Sequence, residues 1–285
     1  MTQDISLDRD EHPLVFLDEF QSLADFGIFL MHKRDYEEAA RLVRDRSVLD
    51  LGCNNGYGAG ILAGVCEEVT AVDISEAAIA DAIRRFGDLG INFQRVDGTT
   101  LPFQDGRFDA VVSFQVIEHV DEPDGYLSEI VRVLRPGGRA IFTTPNKAIR
   151  LDPGIAPWNK HHIQEFTHQE LRDVLTSYFA RVRIRGQFAS GDLYRIERAR
   201  CARSRALARS GAAANVQRWL RAFAPAPIRS QLRALRDFGR VGRSGSRRSY
   251  RDAGDEAYST AQYFYRDTDL DEAISLFAVG WKAGS

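Results

Sequence analysis

Along residues 14–44 apolar side chains recur at helical spacing: Phe16, Phe20, Leu23, Phe26, Phe29 and Leu30, then Ala39, Ala40, Leu42 and Val43. The two groups predict two amphipathic helices ahead of the first strand. From residue 47 the period changes. Short β-rich runs (SVLDLG, VTAVDIS, INFQRVDG, FDAVVSFQVI and GRAIFTTP) alternate with helical stretches, the pattern of βαβ units and a parallel sheet. ARVRIRGQF at 180–188 predicts a sixth strand and ISLFAVGWK at 274–282 a seventh. Turn chemistry agrees with period: Ser75 and Glu76 open a helix through Ile79 and Ile83, and LRPGG at 134–138 stops the helix before strand five.

Between the last two strands the composition shifts. From Arg195 to Arg251 there are sixteen arginines against only Glu197 and Asp237, with Trp219, Leu220, Phe223, Leu232, Leu235 and Phe238 interspersed and APAP at 224–227 dividing two predicted helices. Residues 1–191 and 258–285 are therefore read as one domain, and 192–257 as a basic helical insert or lid. The chain as a whole is balanced, with 38 basic and 40 acidic residues, which argues against a general polyanion binder. Its 44% hydrophobic content supplies an ordinary buried core. The polar, acidic start MTQDISLDRDEHP lacks the features of a secretory signal, and FGIFLM is far shorter than the roughly 20 residues that span a bilayer. Cys53, Cys66 and Cys201 have no zinc or disulfide spacing and suit a reducing compartment, so a cytoplasmic location is expected.

The strongest chemical signal is VLDLGCNNGYG, Val48 to Gly58. An apolar strand ends in Asp50, and small residues then allow a sharp turn and close backbone approach at the opening of a helix, where open α/β sheets bind nucleotides. About 20 residues on, Asp73 closes the second strand, placed to accept hydrogen bonds from both ribose hydroxyls. Asp97 and Gly98 follow the third strand, placed to read an adenine amino group. The competing dinucleotide motif G-x-G-x-x-G fails from Gly52, because Asn54 and Tyr57 occupy the other glycine positions. A formal match at Gly58, Gly60 and Ala63 begins well inside the expected helix.

These motifs, together with VDGTTLPF, FQVIEHV, LRPGGRAIFTTPN and HHIQEF, resemble the class I S-adenosylmethionine-dependent methyltransferases, particularly those with small-molecule and glycan acceptors. The resemblance covers about 1–190 and the last twenty-odd residues. It implies a Rossmann-like α/β fold, a seven-stranded mostly parallel sheet with its last strand antiparallel, N-terminal helices, and a helical insert before the last strand. It also implies S-adenosyl-L-methionine as cofactor. Asp50, Gly52, Gly56 and the Tyr57 region would surround its methionine part, with Gln115 touching the same part, Asp73 and Ile74 its ribose, and Asp97 and Gly98 its adenine. Asn54 stands where the family usually has glycine, and asparagine tolerates the left-handed angles required.

Methyl transfer from a sulfonium needs in-line placement, and a hydroxyl acceptor also needs a base. His162 is the favoured base, with His161 and His119 behind it, since a histidine near its ordinary pKa accepts a proton at neutral pH. The bland readings are a structural hydrogen bond for His119 and a loop anchor for His162 with Glu165. No metal is expected: a site of Glu118, His119 and His161 or His162, as in a few related methyltransferases with a Glu-x-x-Glu-His run, would lack the carboxylate that Gln115 replaces. His32, Arg34 and Tyr36 could close over the cofactor or form a solvated helix face. The leading function is O-methylation of a small hydroxylated acceptor such as a sugar in a glycan or glycolipid. Methylation of RNA or protein through the basic insert, and a catalytically silent cofactor-binding scaffold, are the alternatives. The insert offers arginines to a phosphate or anionic surface, but without the aromatic interleaving of a nucleic-acid platform, so nucleic acid is not an expected partner.

Overall fold

The computed structural model describes residues 20, 22–209, 250, 251 and 257–284. Its first long element is one helix, α1 (Leu23–Leu42), in place of the two predicted. Ser22 caps it by accepting the Asp25 N–H at 3.1 Å. The polar run from Lys33 to Glu38 continues the helix because its residues are adequate helix formers. Arg34 pairs with Glu37 and Glu38 along the surface, while Asp35 and Tyr36 turn inward. Phe16 lies outside the described residues.

Eight strands form one sheet: β1 (Ser47–Leu51), β2 (Glu68–Asp73), β3 (Asn92–Arg95), β4 (Phe108–Phe114), β5 (Leu134–Pro145), β6 (Arg181–Ala189), β7 (Tyr263–Arg266) and β8 (Ser275–Trp281). Their order is β3-β2-β1-β4-β5-β8-β6-β7. The pairings among the first five are parallel, and β8 runs antiparallel between β5 and β6, as expected of the last strand. The strand count exceeds expectation by one. Tyr263–Arg266 is only four residues long and pairs with β6 alone, so its alternation is too brief to stand out in sequence.

Six further helices flank the sheet: α2 (Tyr57–Ala63), α3 (Glu76–Phe86), α4 (Pro123–Val133), α5 (Lys147–Arg150), α6 (His168–Thr176) and α7 (Gly191–Arg209). Ser75 caps α3 through the Ala78 N–H, and α4 stops at Val133, just ahead of the proline and glycines. Adjacent residues of the inner strands feed opposite layers, as the two-residue period of a strand demands. Val48, Val112, Ile141 and Phe277 pack with α1 and α2, whereas Leu49, Val111, Phe142 and Ala278 pack with α4 and α6. The sheet is thus covered on both faces, which explains the nearly unbroken apolar runs of β1 and β4.

Among the described residues, no helix is long and apolar enough to cross a membrane. The predicted insert is described through α7 and at residues 250, 251 and 257. Its APAP break lies outside the described residues.

Candidate active site

The carboxyl ends of β1, β2 and β4 lie side by side, and the chain turns at each of them. After β1, the Gly52 and Cys53 N–H groups both donate to Val72 O, at 2.8 and 3.0 Å. This folds the turn over the end of β2. Gly52 has φ +84, and a Cβ there would sit 2.5 Å from Val116 Cγ2, so both backbone angle and space demand glycine. Asn54 adopts φ 47, the left-handed conformation that asparagine tolerates. Gly56, at φ +80, opens α2. Asp73 ties the two strand ends together, accepting Asn54 N–H on Oδ2 at 2.8 Å and Ser75 N–H on Oδ1 at 2.9 Å.

Asp50 is fully buried at the end of β1, and Tyr36 of α1 donates its hydroxyl to it at 3.1 Å. Burial pushes the Asp50 carboxyl up to about 7, with the Tyr36 hydrogen bond opposing and the nearby Asp73 charge adding to the rise. Of the three N-terminal candidates, only Tyr36 reaches this turn. His32 is pushed down to about 4 by burial and faces Glu197 of α7, while Arg34 lies over the Tyr265 ring.

The ring of Tyr36 also crosses Gly58, where a Cβ would approach ring carbons to 2.1–2.3 Å. Gly58→Ala is therefore expected to drive Tyr36 off Asp50 and cost about 1–3 kcal/mol of stability, read as a lower denaturant midpoint at unchanged slope.

Asp97 follows β3 as an exposed carboxylate that accepts Thr99 N–H, Thr99 Oγ1–H and Thr100 N–H, hydrogen bonds that hold it below the usual carboxylate range. Gly98 has φ +83 and abuts Ile74, whose Cγ2 would lie 3.1 Å from an added Cβ. Gln115, at φ 56, donates its N–H to Thr143 O at 2.9 Å and its side-chain amide to Thr143 Oγ1 at 3.1 Å.

A second group of side chains gathers at the ends of β4 and β5. Glu118 and His119 follow Val116, the residue packed on Gly52. Glu118 is fully buried. Its Oε2 accepts Thr144 Oγ1–H at 3.0 Å, and burial pushes its carboxyl up to about 8. His119 Nδ1 lies 2.7 Å from His161 O, and His162 Nδ1 lies 2.7 Å from Glu165 Oε1. A carbonyl or carboxylate can only accept, so both Nδ1 atoms carry the proton. The two imidazoles meet edge to face at 4.8 Å.

Behind them Arg150 grips Glu165 with two bonds of 2.8 and 2.9 Å, and its guanidinium lies 4.1 Å from the Trp158 ring centre. Burial pushes Glu165 up, but the bonds from His162 and Arg150 outweigh it and leave the carboxyl below its ordinary value. Of the three histidines singled out in sequence, His119 and His162 are brought together. His161 contributes its backbone carbonyl.

Compared with known protein families, residues 49–142 match the model described as the methyltransferase domain. Over this segment the chain is similar to that domain. A "Probable S-adenosylmethionine-dependent methyltransferase" of Mycolicibacterium smegmatis is 38% identical over 148 residues, covering 52% of this chain and 56% of that protein. A fatty-acid O-methyltransferase of the same species is 34% identical over 129 residues, covering 45% of this chain and 46% of the other. The chain spans about half the length of the curated relatives it matches. Among solved structures, the (4+2)-cyclase SpnF shares the fold with a TM-score of 0.53 at 20% identity, covering 90% of this chain and 82% of the other.

The 38% identical Mycolicibacterium relative is described as S-adenosylmethionine-dependent. The chemistry of the turn fits such a cofactor: Asp73 at the end of β2 and Asp50, buried beneath the turn, are acidic groups suited to a ligand with a cationic centre and paired ribose hydroxyls. The matched segment ends at Phe142, before Thr144 of β5, Arg150 of α5, and Trp158, His162 and Glu165 of the connection to α6, so the second group is completed by residues outside that segment. Sequence reasoning missed Arg150, Trp158 and Thr144. Glu118, His119, His161 and His162, and the three-residue spacing of His162 and Glu165, were visible there.

The root of the basic insert is less available to polyanions than its composition suggests. In α7 five of the six arginines are paired: Arg195 with Asp192, Arg198 with Glu272, Arg200 with Glu197, and Arg205 and Arg209 with Asp152.

Proposed function

We propose that the chain is an S-adenosylmethionine-dependent O-methyltransferase acting on a small hydroxylated acceptor, a sugar of a glycan or glycolipid, and that it works in the cytoplasm. One observation carries the reading: a carboxylate-held histidine, His162 on Glu165, stands in the loop cluster that Val116 joins to the glycine turn. The fatty-acid O-methyltransferase among the relatives supports oxygen as the receiving atom. In this reading Asp50, Gly52, Asn54, Gly56 and Gln115 surround the methionine part of the cofactor, Asp73 and Ile74 the ribose, and Asp97 and Gly98 the adenine.

The bound cofactor supplies an electrophilic methyl on a positively charged sulfur. The residues supply placement and a proton sink. His162 Nε2 accepts the acceptor's hydroxyl proton as the oxygen–carbon bond forms, Glu165 stabilises the imidazolium that results, and Arg150 keeps Glu165 ionised and oriented. The test is isothermal titration with S-adenosylmethionine, followed by labelled-methyl transfer to a panel of sugars, glycolipids, fatty acids, quinols and RNA. Donor binding with label on a hydroxyl oxygen is expected. Absence of donor binding, or label only on carbon or nitrogen, would overturn the reading.

A pH dependence follows from Asp50. Without cofactor it is protonated below about 7 and ionised above. A cationic ligand favours the ionised form, so binding expels a proton, and affinity is expected to climb by up to about tenfold per pH unit below that value and level off above it. Calorimetry across pH, with Asp50→Asn expected to flatten the slope, checks this.

A further inference from the structure

Glu118, His119 and His162 come from two separate loops, yet one carboxylate oxygen and one ring nitrogen from each histidine all lie within 4.8 Å of one another. That convergence is costly without an occupant. Glu118 is fully buried, and its Oε1 has no hydrogen-bond partner among the described residues, although the other oxygen is bonded to Thr144. A buried carboxylate oxygen left in this way calls for a cation or a donor.

The surroundings indicate which. Metal-ligating histidines almost always give their second ring N–H to a carboxylate or backbone carbonyl, which fixes the tautomer and aims the ring. Both imidazoles have such an anchor: His119 Nδ1 on His161 O, and His162 Nδ1 on Glu165, which Arg150 holds in turn. The atom each ring has to offer an ion is Nε2. Gln115, the neighbouring side chain from the same loop, donates its amide to Thr143 and stays out of the set.

We propose that Glu118, His119 and His162 form a three-ligand site for a divalent first-row transition ion of the zinc class. Two imidazoles disfavour magnesium and calcium, which take oxygen ligands, and three protein ligands leave a position open for an acceptor oxygen. The inference deepens the proposed reaction, and it rests on that reading only for its consequence. A bound ion would occupy the His162 electron pair, so His162 would then position the acceptor oxygen through the ion, which would acidify the hydroxyl, and its proton would pass to solvent water. Binding requires neither donor nor acceptor.

The test uses the tag-free whole chain, stripped with chelator and titrated with Zn²⁺ by calorimetry, and with Co²⁺ by visible absorption, in the absence of S-adenosylmethionine. One ion per chain is expected, with a Co²⁺ spectrum of nitrogen–oxygen ligation that Zn²⁺ abolishes. Glu118→Gln and His119→Gln are expected to weaken binding at least tenfold, and His168→Gln, a histidine paired with Asp271 away from the cluster, to leave it unchanged. Lack of stoichiometric Zn²⁺ or Co²⁺ uptake by the wild-type chain overturns the proposal, as does uptake that survives both ligand variants. The Co²⁺ spectrum of the wild type decides the matter even if a variant fails to fold. S-adenosylmethionine binding in the same preparation separates failure of the metal site from failure of the methyltransferase reading.

Discussion

Asp73→Ala is expected to weaken S-adenosylmethionine binding by more than tenfold, or about 1.4 kcal/mol, measured by isothermal titration beside the wild type. Two effects act in the same direction. In the proposed complex the carboxylate accepts the ribose hydroxyls, and alanine accepts nothing. In the protein itself Asp73 holds the Asn54 and Ser75 N–H groups, so its loss also releases the left-handed residue at the centre of the turn. Charged hydrogen bonds of this kind contribute about 1.5–3 kcal/mol each, and a lower melting temperature should accompany the loss of affinity. Asp73→Asn separates the effects. It keeps the volume and one accepting oxygen, and is expected to recover stability more than affinity. A dissociation constant for Asp73→Ala within about twofold of wild type would remove Asp73 from the cofactor site.

The parts of this architecture written in local chemistry were legible in the sequence. Ser75 capping α3, the helix stop ahead of LRPGG, and the glycine turn after β1 each depend on residues within a few positions of one another, where backbone angle and hydrogen-bonding capacity decide the outcome. The divided helix expected over 14–44 illustrates the opposite case. Its polar middle interrupts the apolar pattern, yet α1 runs through because Asp35 and Tyr36 find buried partners in Tyr265 and Asp50, contacts that no helical period encodes.

The candidate site divides along the same line. Asp50, Gly52, Asn54, Gly56 and Asp73 stand out because a turn at a strand end imposes residue types on its own neighbours. Arg150 and Trp158 do not stand out, because Arg150 meets the Trp158 ring and Glu165 only after the connection between α5 and α6 has folded back on the end of α5. His161 and His162 look equivalent as neighbours in sequence. The fold separates them by sending one side chain to Glu165 and using the other residue's carbonyl to hold His119. In α7 the arginine-rich composition gave no sign of the acidic partners, which come from elsewhere in the chain: Glu272 for Arg198 and Asp152 for Arg205.

His162→Asn should reduce the turnover number by roughly 10²–10⁴-fold while leaving the affinity for S-adenosylmethionine within about twofold of wild type. The asymmetry follows from position. His162 belongs to the loop cluster beyond β5, where its side chain is hydrogen-bonded to Glu165, whereas the turns proposed to hold the donor lie after β1, β2 and β3. Removing the imidazole deletes the group that takes the acceptor's proton, or that helps hold an ion acidifying the hydroxyl, and in either case the missing interaction belongs to the transition state.

Glu165→Gln would be a poorer probe. It strips the partner from Arg150, whose guanidinium is buried, and an uncompensated buried charge costs about 3–5 kcal/mol. Loss of activity there would mix chemistry with unfolding. In His162→Asn the Arg150–Glu165 pair persists, so the loop keeps its anchor, and a melting temperature near wild type is expected together with the fall in turnover. If turnover instead stays within about threefold of wild type, His162 serves to fix the loop, and the proton must leave by another route.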